Sequence, residues 1–326
     1  MIDAFTKPFP SEVQLRAPRL ADAPDVADLM RACDIACYGE PDTDLHDVLD
    51  DWSAPGFDLA RDAWILERPG GAIVGFAGTR PRARADFDGS FYVRPGEPVA
   101  ALAPALIEAV EARVLEAGGG ETVSLGFFIG SVELQEREVL ERMGYREARI
   151  FFRMRIDLEP PTPSAPPSGT RSPAPEPRLE SIEIRTLRLG VDDRAFHATI
   201  EESFAEHFRH FPRTFEDWWA LRTNHAAFDP GLCLLAWDED HPAAALFAID
   251  YGDTGFIREL GVLKPWRGQG LGAALLRRSF EDFRARGQLK VVLGVDAENE
   301  SAVVLYERVG MRQEQRHHLM QKKLSR

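Results

Sequence analysis

The chain has 326 residues, 39 basic and 53 acidic, with a formal net charge of −14. Apolar residues make up 44% and charged residues 28%, ordinary values that exclude collagen-like, disordered and disulfide-scaffold chains. The negative balance repels phosphate backbones, and no basic patch offsets it, so a nucleic-acid partner is not expected.

The amino terminus lacks a basic segment followed by an apolar one, and no window is apolar enough to span a bilayer, so the expectation is a cytoplasmic protein without a membrane partner. Val13 to Leu20 reads as strand then helix. Cys33 and Cys37, four apart in a helical pattern, read as two buried thiols rather than a metal or redox pair. With Cys233 they make an odd, sparse set, which fits a reducing compartment. Leu140 to Tyr145 ends a helix at a glycine, and Ile150 to Leu158 alternates like a strand.

Residues 159–177 carry eight prolines and no large apolar side chain, so they form a linker. The expected division is residues 1–158, a linker at 159–180, and residues 181–326. The flanks look duplicated. Ile182 to Leu189 repeats the phrase of Val13 to Leu20, and Tyr306 to Met311 repeats that of Leu140 to Tyr145, in matched order.

In the second flank, helices are expected over Phe196–His207 and Phe215–Asn224. Strands follow over Cys233–Trp237, Ala243–Asp250 and Phe256–Leu263. A helix from Leu271 to Arg286 places its apolar residues on one face and stops at Gly287. Leu289–Val295 reads as a buried strand, Glu300–Arg308 as a helix and His317–Leu324 as an alternating strand. The fold class is therefore α/β with a mixed sheet.

The most informative segment is Arg267-Gly268-Gln269-Gly270-Leu271-Gly272, between a strand and a helix. Unpaired N–H groups at a helix start, backed by the helix dipole, favour an anion. Glycines let the main chain approach it, and Arg267 can add a charge-assisted contact. The same residues fit a G-x-G-x-x-A dinucleotide pattern with Asp296 as the ribose-binding acid. Too few residues follow Asp296 to complete such a sheet, and no ATP-binding P-loop signature occurs.

Leu260 to Gly272, followed by Val295 to Ala302 and Leu305 to Met311, resembles the GNAT acyltransferase superfamily. The resemblance is to its R/Q-x-x-G-x-G/A loop and its N-x-x-A…LYE-x-x-GF ending, and it covers about residues 182–324. The implied architecture is two tandem GNAT-like domains, the N-terminal one degenerate, similar to the tandem-domain type represented by mycothiol synthase. The implied donor is acetyl-CoA or another acyl-CoA, with no metal, and the implied acceptor is a small-molecule amine. The resemblance assigns the pantetheine arm to the backbone of Leu260 and Val262 and to Asn299, and the diphosphate to Arg267, Gly268, Gln269, Gly270, Leu271 and Gly272. Asn299 reads equally well as a helix N-cap.

Tyr306 matches the tyrosine that protonates the departing CoA thiolate; the alternative is an aromatic filling a helical turn. The carboxylate that family members carry six residues before the strand-end valine is Phe256 here. Glu259 is the remaining candidate base. By strict alternation it faces away from Val262 unless a bulge reverses the parity, and it reads equally as partner to an arginine. In the first flank, Arg94 to Pro98 has one glycine, a glutamate at 97 and a proline without an N–H, while Leu140 stands where Tyr306 stands. That copy is expected to hold no productive acyl-CoA. Without the strand carboxylate, an acyl-CoA sensor that turns nothing over is the competing class. His207, His210 and Glu206 are candidate pocket residues or solvated ones. Trp218 and Trp219 read as core packing, and His317 and His318 as pointing to opposite faces. The oligomeric state is not legible.

Overall fold

The computed structural model describes residues 13–158, 181–223 and 227–325. The proline-rich linker at 159–177 and Asn224, the expected end of one helix, lie outside the described residues.

The first half of the chain runs β1 (Gln14–Arg16), α1 (Ala23–Tyr38), α2 (Leu45–Ser53), α3 (Leu59–Asp62), β2 (Ala63–Glu67), β3 (Ile73–Ala83), β4 (Asp86–Val93), α4 (Val99–Ala117), β5 (Val123–Gly130), α5 (Leu134–Arg142) and β6 (Arg146–Asp157). The second half repeats the scheme: β7 (Ile182–Thr186), α6 (Asp193–Phe204), α7 (Phe215–Thr223), β8 (Leu234–Asp238), β9 (His241–Asp250), β10 (Thr254–Val262), α8 (Leu271–Ala285), β11 (Lys290–Asp296), α9 (Glu300–Arg308) and β12 (Arg312–Leu324). Every element expected in the second flank is present, with ends displaced by a few residues. The last strand starts earliest against expectation, at Arg312 rather than His317, and α6 stops at Phe204, ahead of a bend in which Arg209 has φ +54°.

The two compact units do not follow the two sequence halves. One comprises residues 1–150 and 317–326, the other residues 151–316. In the first unit the strand order is β1-β2-β3-β4-β5-β12, and in the second β7-β8-β9-β10-β11-β6. Residues 151–157 of β6 pair antiparallel with β11, and residues 317–324 of β12 pair antiparallel with β5. Each sheet is thus completed by a strand from the other half's sequence. In both units one pair is parallel, β4 with β5 and β10 with β11, and each parallel register holds for four residue pairs before it stops.

In the second unit β9 is the central strand, buried from Ala243 to Ile249. Its continuous apolar run serves two cores. Ala244, Leu246 and Ala248 pack with Leu271, Leu275, Leu276, Phe280 and Phe283 of α8. Ala245, Phe247 and Ile249 pack with Phe196, Ile200 and Trp218 of α6 and α7. The α8 stripe is the one its sequence periodicity marks, and Trp218 is core as expected. Cys33 and Cys37, expected to be buried, are both half-buried; burial nevertheless pushes their thiols up, to about 12 and about 11, so both stay protonated at neutral pH.

Candidate active site

The chemistry-bearing segment lies in the second unit, where β10 parts from β11. Their parallel register runs from Thr254–Lys290 to Ile257–Leu293. Beyond it β10 continues beside β9 as far as Val262–Ala244, while β11 continues beside β6 to Asp296–Phe151. Among the described residues, 259–262 therefore have a strand partner on one edge only. The Leu263 N–H donates to the Ala243 carbonyl at 2.9 Å. By alternation the main-chain groups of Leu260 and Val262 face the other edge, the one β11 has left.

The loop after β10 makes one 3-10 turn, Lys264–Trp266, pinned by Trp266 Nε1 donating to Asp238 at 3.0 Å. Gly268 and Gly270 both adopt left-handed backbone, φ +74° and +85°, where a side chain would be strained. Gly270 is the N-cap of α8 and, among the described residues, no side chain caps that helix, so its first-turn amides keep their bonding capacity. Gly272 permits a close approach: a Cβ there would stand 2.9 Å from a Leu305 methyl of α9. Gln269 Nε2 donates to the Pro265 carbonyl at 2.9 Å, which closes the turn. The Arg267 guanidinium folds back, with Nε on the Val262 carbonyl at 2.9 Å and Nη2 on the Ser203 carbonyl at 3.3 Å. It anchors the loop to β10 and α6.

Tyr306 on α9 is 8% exposed, within the cluster against which Leu260 and Val262 pack. Burial pushes its hydroxyl up to about 12, and it makes no hydrogen bond among the described residues. Asn299 caps α9, its Oδ1 accepting from the Ala302 N–H at 3.2 Å. That leaves its NH2 group for another partner, so the cap and a ligand contact are compatible.

Glu259 stands apart from these residues. The strand does carry a bulge, but it falls between Ile257 and Glu259, ahead of the glutamate. The parity between Glu259 and Val262 is therefore not reversed, and the two face opposite sides of the sheet. Glu259 forms an ion pair with Arg222 of α7, a residue the sequence did not single out. The guanidinium lies 3.5 Å from the Trp218 ring centroid, its Nη1 donating to the Trp218 carbonyl at 3.1 Å. Among the described residues, Glu259 Oε2 and Arg222 Nε are buried without partners.

Two further contacts were unmarked in sequence. A Cβ on Gly261 would collide with Ser203 Oγ, so that glycine lets α6 press onto β10. Lys264 pairs with Glu206 at 2.7 Å. Of the histidines, His210 lies 3.3 Å from Glu201, and His207 packs on Phe204 with its pKa lowered, first by burial and then by Arg267. Among the described residues there is no group of three or more His, Cys, Asp or Glu that could hold a metal, and no helix long and apolar enough to cross a membrane.

A mixed sheet with parted parallel strands, an open main-chain edge and a glycine-hinged helix start define an acyl-CoA-dependent transferase. The chain belongs to the GNAT family of acetyltransferases: residues 193–311 match the family's profile, "Acetyltransferase (GNAT) family". It is 32% identical over 254 residues to the mycothiol acetyltransferase of Geodermatophilus obscurus, covering 74% of this chain and 75% of that one. With the mycothiol acetyltransferase of a Parafrankia species it shares 29% identity over 321 residues, 91% of this chain and 94% of the relative. A GCN5-related N-acetyltransferase from Sphaerobacter thermophilus superposes with a TM-score of 0.81 at 31% identity over 98% of both chains. A tandem GNAT protein from the clavulanic acid biosynthesis pathway shares the fold, with a TM-score of 0.71 at 14% identity over 96% of this chain and 98% of that one. The protein is an N-acetyltransferase that moves an acetyl group from acetyl-CoA to an amine.

Proposed function

We propose that residues 259–306 of the second unit hold acetyl-CoA and that the acceptor is a small-molecule primary amine. The observation that carries this reading is the open β10 edge at Leu260 and Val262 running directly into the left-handed loop and the uncapped α8. The pantetheine arm lies along that edge as a short extra strand, with the Asn299 NH2 as a further donor. The diphosphate sits on the main-chain amides of Gly268, Gln269, Gly270, Leu271 and Gly272. Arg267 holds the loop in shape with the Val262 and Ser203 carbonyls.

The amine attacks the thioester carbonyl directly, with both substrates bound. Holding them in register supplies much of the acceleration. As the C–S bond breaks, Tyr306 gives its proton to the sulfur; its raised pKa keeps that proton present throughout the neutral range. Of the two roles open to Glu259, the Arg222 pair supports the structural one, since that carboxylate faces away from Val262. The amine then arrives with its own lone pair free and needs no fixed carboxylate.

The first unit holds no productive acyl-CoA in this reading. Its corresponding loop places Glu97 where the diphosphate would lie, already paired to Arg68 at 2.6 Å, and Pro98 takes the N-cap position of α4. Leu140, in the place of Tyr306, is fully buried core. The mycothiol acetyltransferases among the relatives support a second reading, an amino-thiol acceptor. Release of CoA thiol against a panel of amines, the amino-thiol acceptor included, tests both. Turnover with simple amines alone selects the first reading, turnover with the amino-thiol alone selects the second, and turnover with no amine rejects both.

A further inference from the structure

Outside the acetyl-transfer site, one cluster in the first unit has the geometry of an activated nucleophile. Ser131 follows the last residue of β5 and is exposed. His318 on β12 stands opposite Ile129 of β5, which brings its ring to that strand end, and its side chain is 8% exposed. His318 Nε2 lies 3.0 Å from Ser131 Oγ, and His318 Nδ1 lies 2.6 Å from Glu147 Oε2 of β6. A carboxylate only accepts, so the short Glu147 contact selects the tautomer with the proton on Nδ1, and Arg137 Nη1, 3.5 Å from the same nitrogen, is then a neighbour rather than a donor to it. The lone pair on Nε2 is then aimed at the serine, whose hydroxyl donates to it. Arg137 of α5 braces the carboxylate, Nη2 to Oε2 at 3.5 Å. Nucleophile, base and orienting group are in hydrogen-bond sequence, the arrangement that makes a serine reactive.

We propose that Ser131, His318 and Glu147 form a second reaction centre, one that hydrolyses short-chain carboxylic esters through an acyl-serine. Ser131 Oγ attacks the ester carbonyl while Nε2 takes the hydroxyl proton. The C–O bond to the alcohol breaks, and Nε2 returns that proton to the departing alkoxide. Water then attacks the acyl-serine, Nε2 accepts its proton, and the serine leaves with that proton restored as the carboxylic acid forms. No redox partner or metal is needed.

The test uses the full-length protein with a fluorophosphonate probe, peptide mapping of the adduct, and hydrolysis of p-nitrophenyl acetate. The expected result is one adduct, on Ser131, and hydrolysis lowered about 100-fold in Ser131→Ala and in His318→Gln. Substitution of the buried histidine risks misfolding, so the wild-type adduct and the exposed-site Ser131→Ala decide by themselves, with thermal melting as the check on folding. Absence of an adduct on Ser131, or a wild-type hydrolysis rate in Ser131→Ala, overturns the proposal.

Discussion

The Arg222–Glu259 pair offers a direct test of how the α7 face of β10 is held. Its side chains are 10% and 19% exposed, so solvent screens them little, and the guanidinium is also fixed against Trp218. Removing one member of a buried pair leaves the other charge uncompensated, at a cost of about 3–5 kcal/mol. Glu259 Oε2 already lacks a partner among the described residues, so part of that penalty exists in the native protein and the lower figure applies. Glu259→Ala should therefore cost about 3 kcal/mol, which lowers the melting temperature of a unit of this size by roughly 6–12 °C. Glu259→Gln keeps an acceptor for Arg222 and loses only the charge, a cost of about 1–2 kcal/mol. The double change Arg222→Met with Glu259→Leu replaces the pair with apolar volume and should return the protein close to wild-type stability. Calorimetry on the three variants, with kcat measured alongside, reads the series. Glu259→Ala melting within one degree of wild type would refute the energetic reasoning. A Glu259→Gln protein with normal melting but a collapsed kcat and a displaced acidic limb would make Glu259 the base.

Three further outcomes follow from the site and its surroundings. Tyr306→Phe should lower kcat about 100-fold while the KM for acetyl-CoA stays at the wild-type value, and the wild-type alkaline limb should not fall before pH approaches the tyrosine's own value of about 12; an unchanged kcat removes its assigned role. Gly270→Glu puts a side chain at φ +85° and a carboxylate at the α8 start, so titration calorimetry should detect no acetyl-CoA binding, and wild-type affinity would refute the loop assignment. In the first unit, burial raises Glu133 to about 7 from its ordinary 4.5. The folded state holds that proton longer than the unfolded one, so stability falls as pH rises from about 4.5 through 7. Glu133→Gln should remove this slope and gain about 2–3 kcal/mol at pH 8, and a parallel pH–stability curve in the variant would show the carboxyl to be unperturbed.

The reach of sequence reasoning ended where contacts become non-local. The α8 stripe, the α9 boundaries and the glycine loop are written in residues a few positions apart, and the structure has them where periodicity and turn chemistry put them. Ile150 to Leu158 and His317 to Leu324 announced strands, yet alternation says nothing about which sheet a strand joins. Two similar sheets offer equivalent free edges beside β5 and β11, and the chain fills each with the other half's strand. Glu259 shows the same limit within one strand. A bulge was foreseeable, but its position relative to the glutamate decides which way the carboxylate faces, and that position depends on the pairing with β9. Arg222 was invisible for a related reason, since its partner lies 37 residues away.

The duplication clarifies why the two units diverge in chemistry while keeping one topology. Strand order and the four-pair parallel register depend on apolar patterning, which both copies retain. Anion binding depends on a handful of loop positions that carry no core, and in the reading proposed above Glu97 and Pro98 remove it while Leu102 and Leu106 stay buried beneath. The strand end that follows is equally free to change. Where β11 runs into Ala297 and the capping Asn299, β5 runs into Ser131 and Glu133, and Glu133 turns back to the Gly130 N–H instead of capping α5. Ser131, beside the buried His318, thus stands at a position that the second unit fills with Ala297.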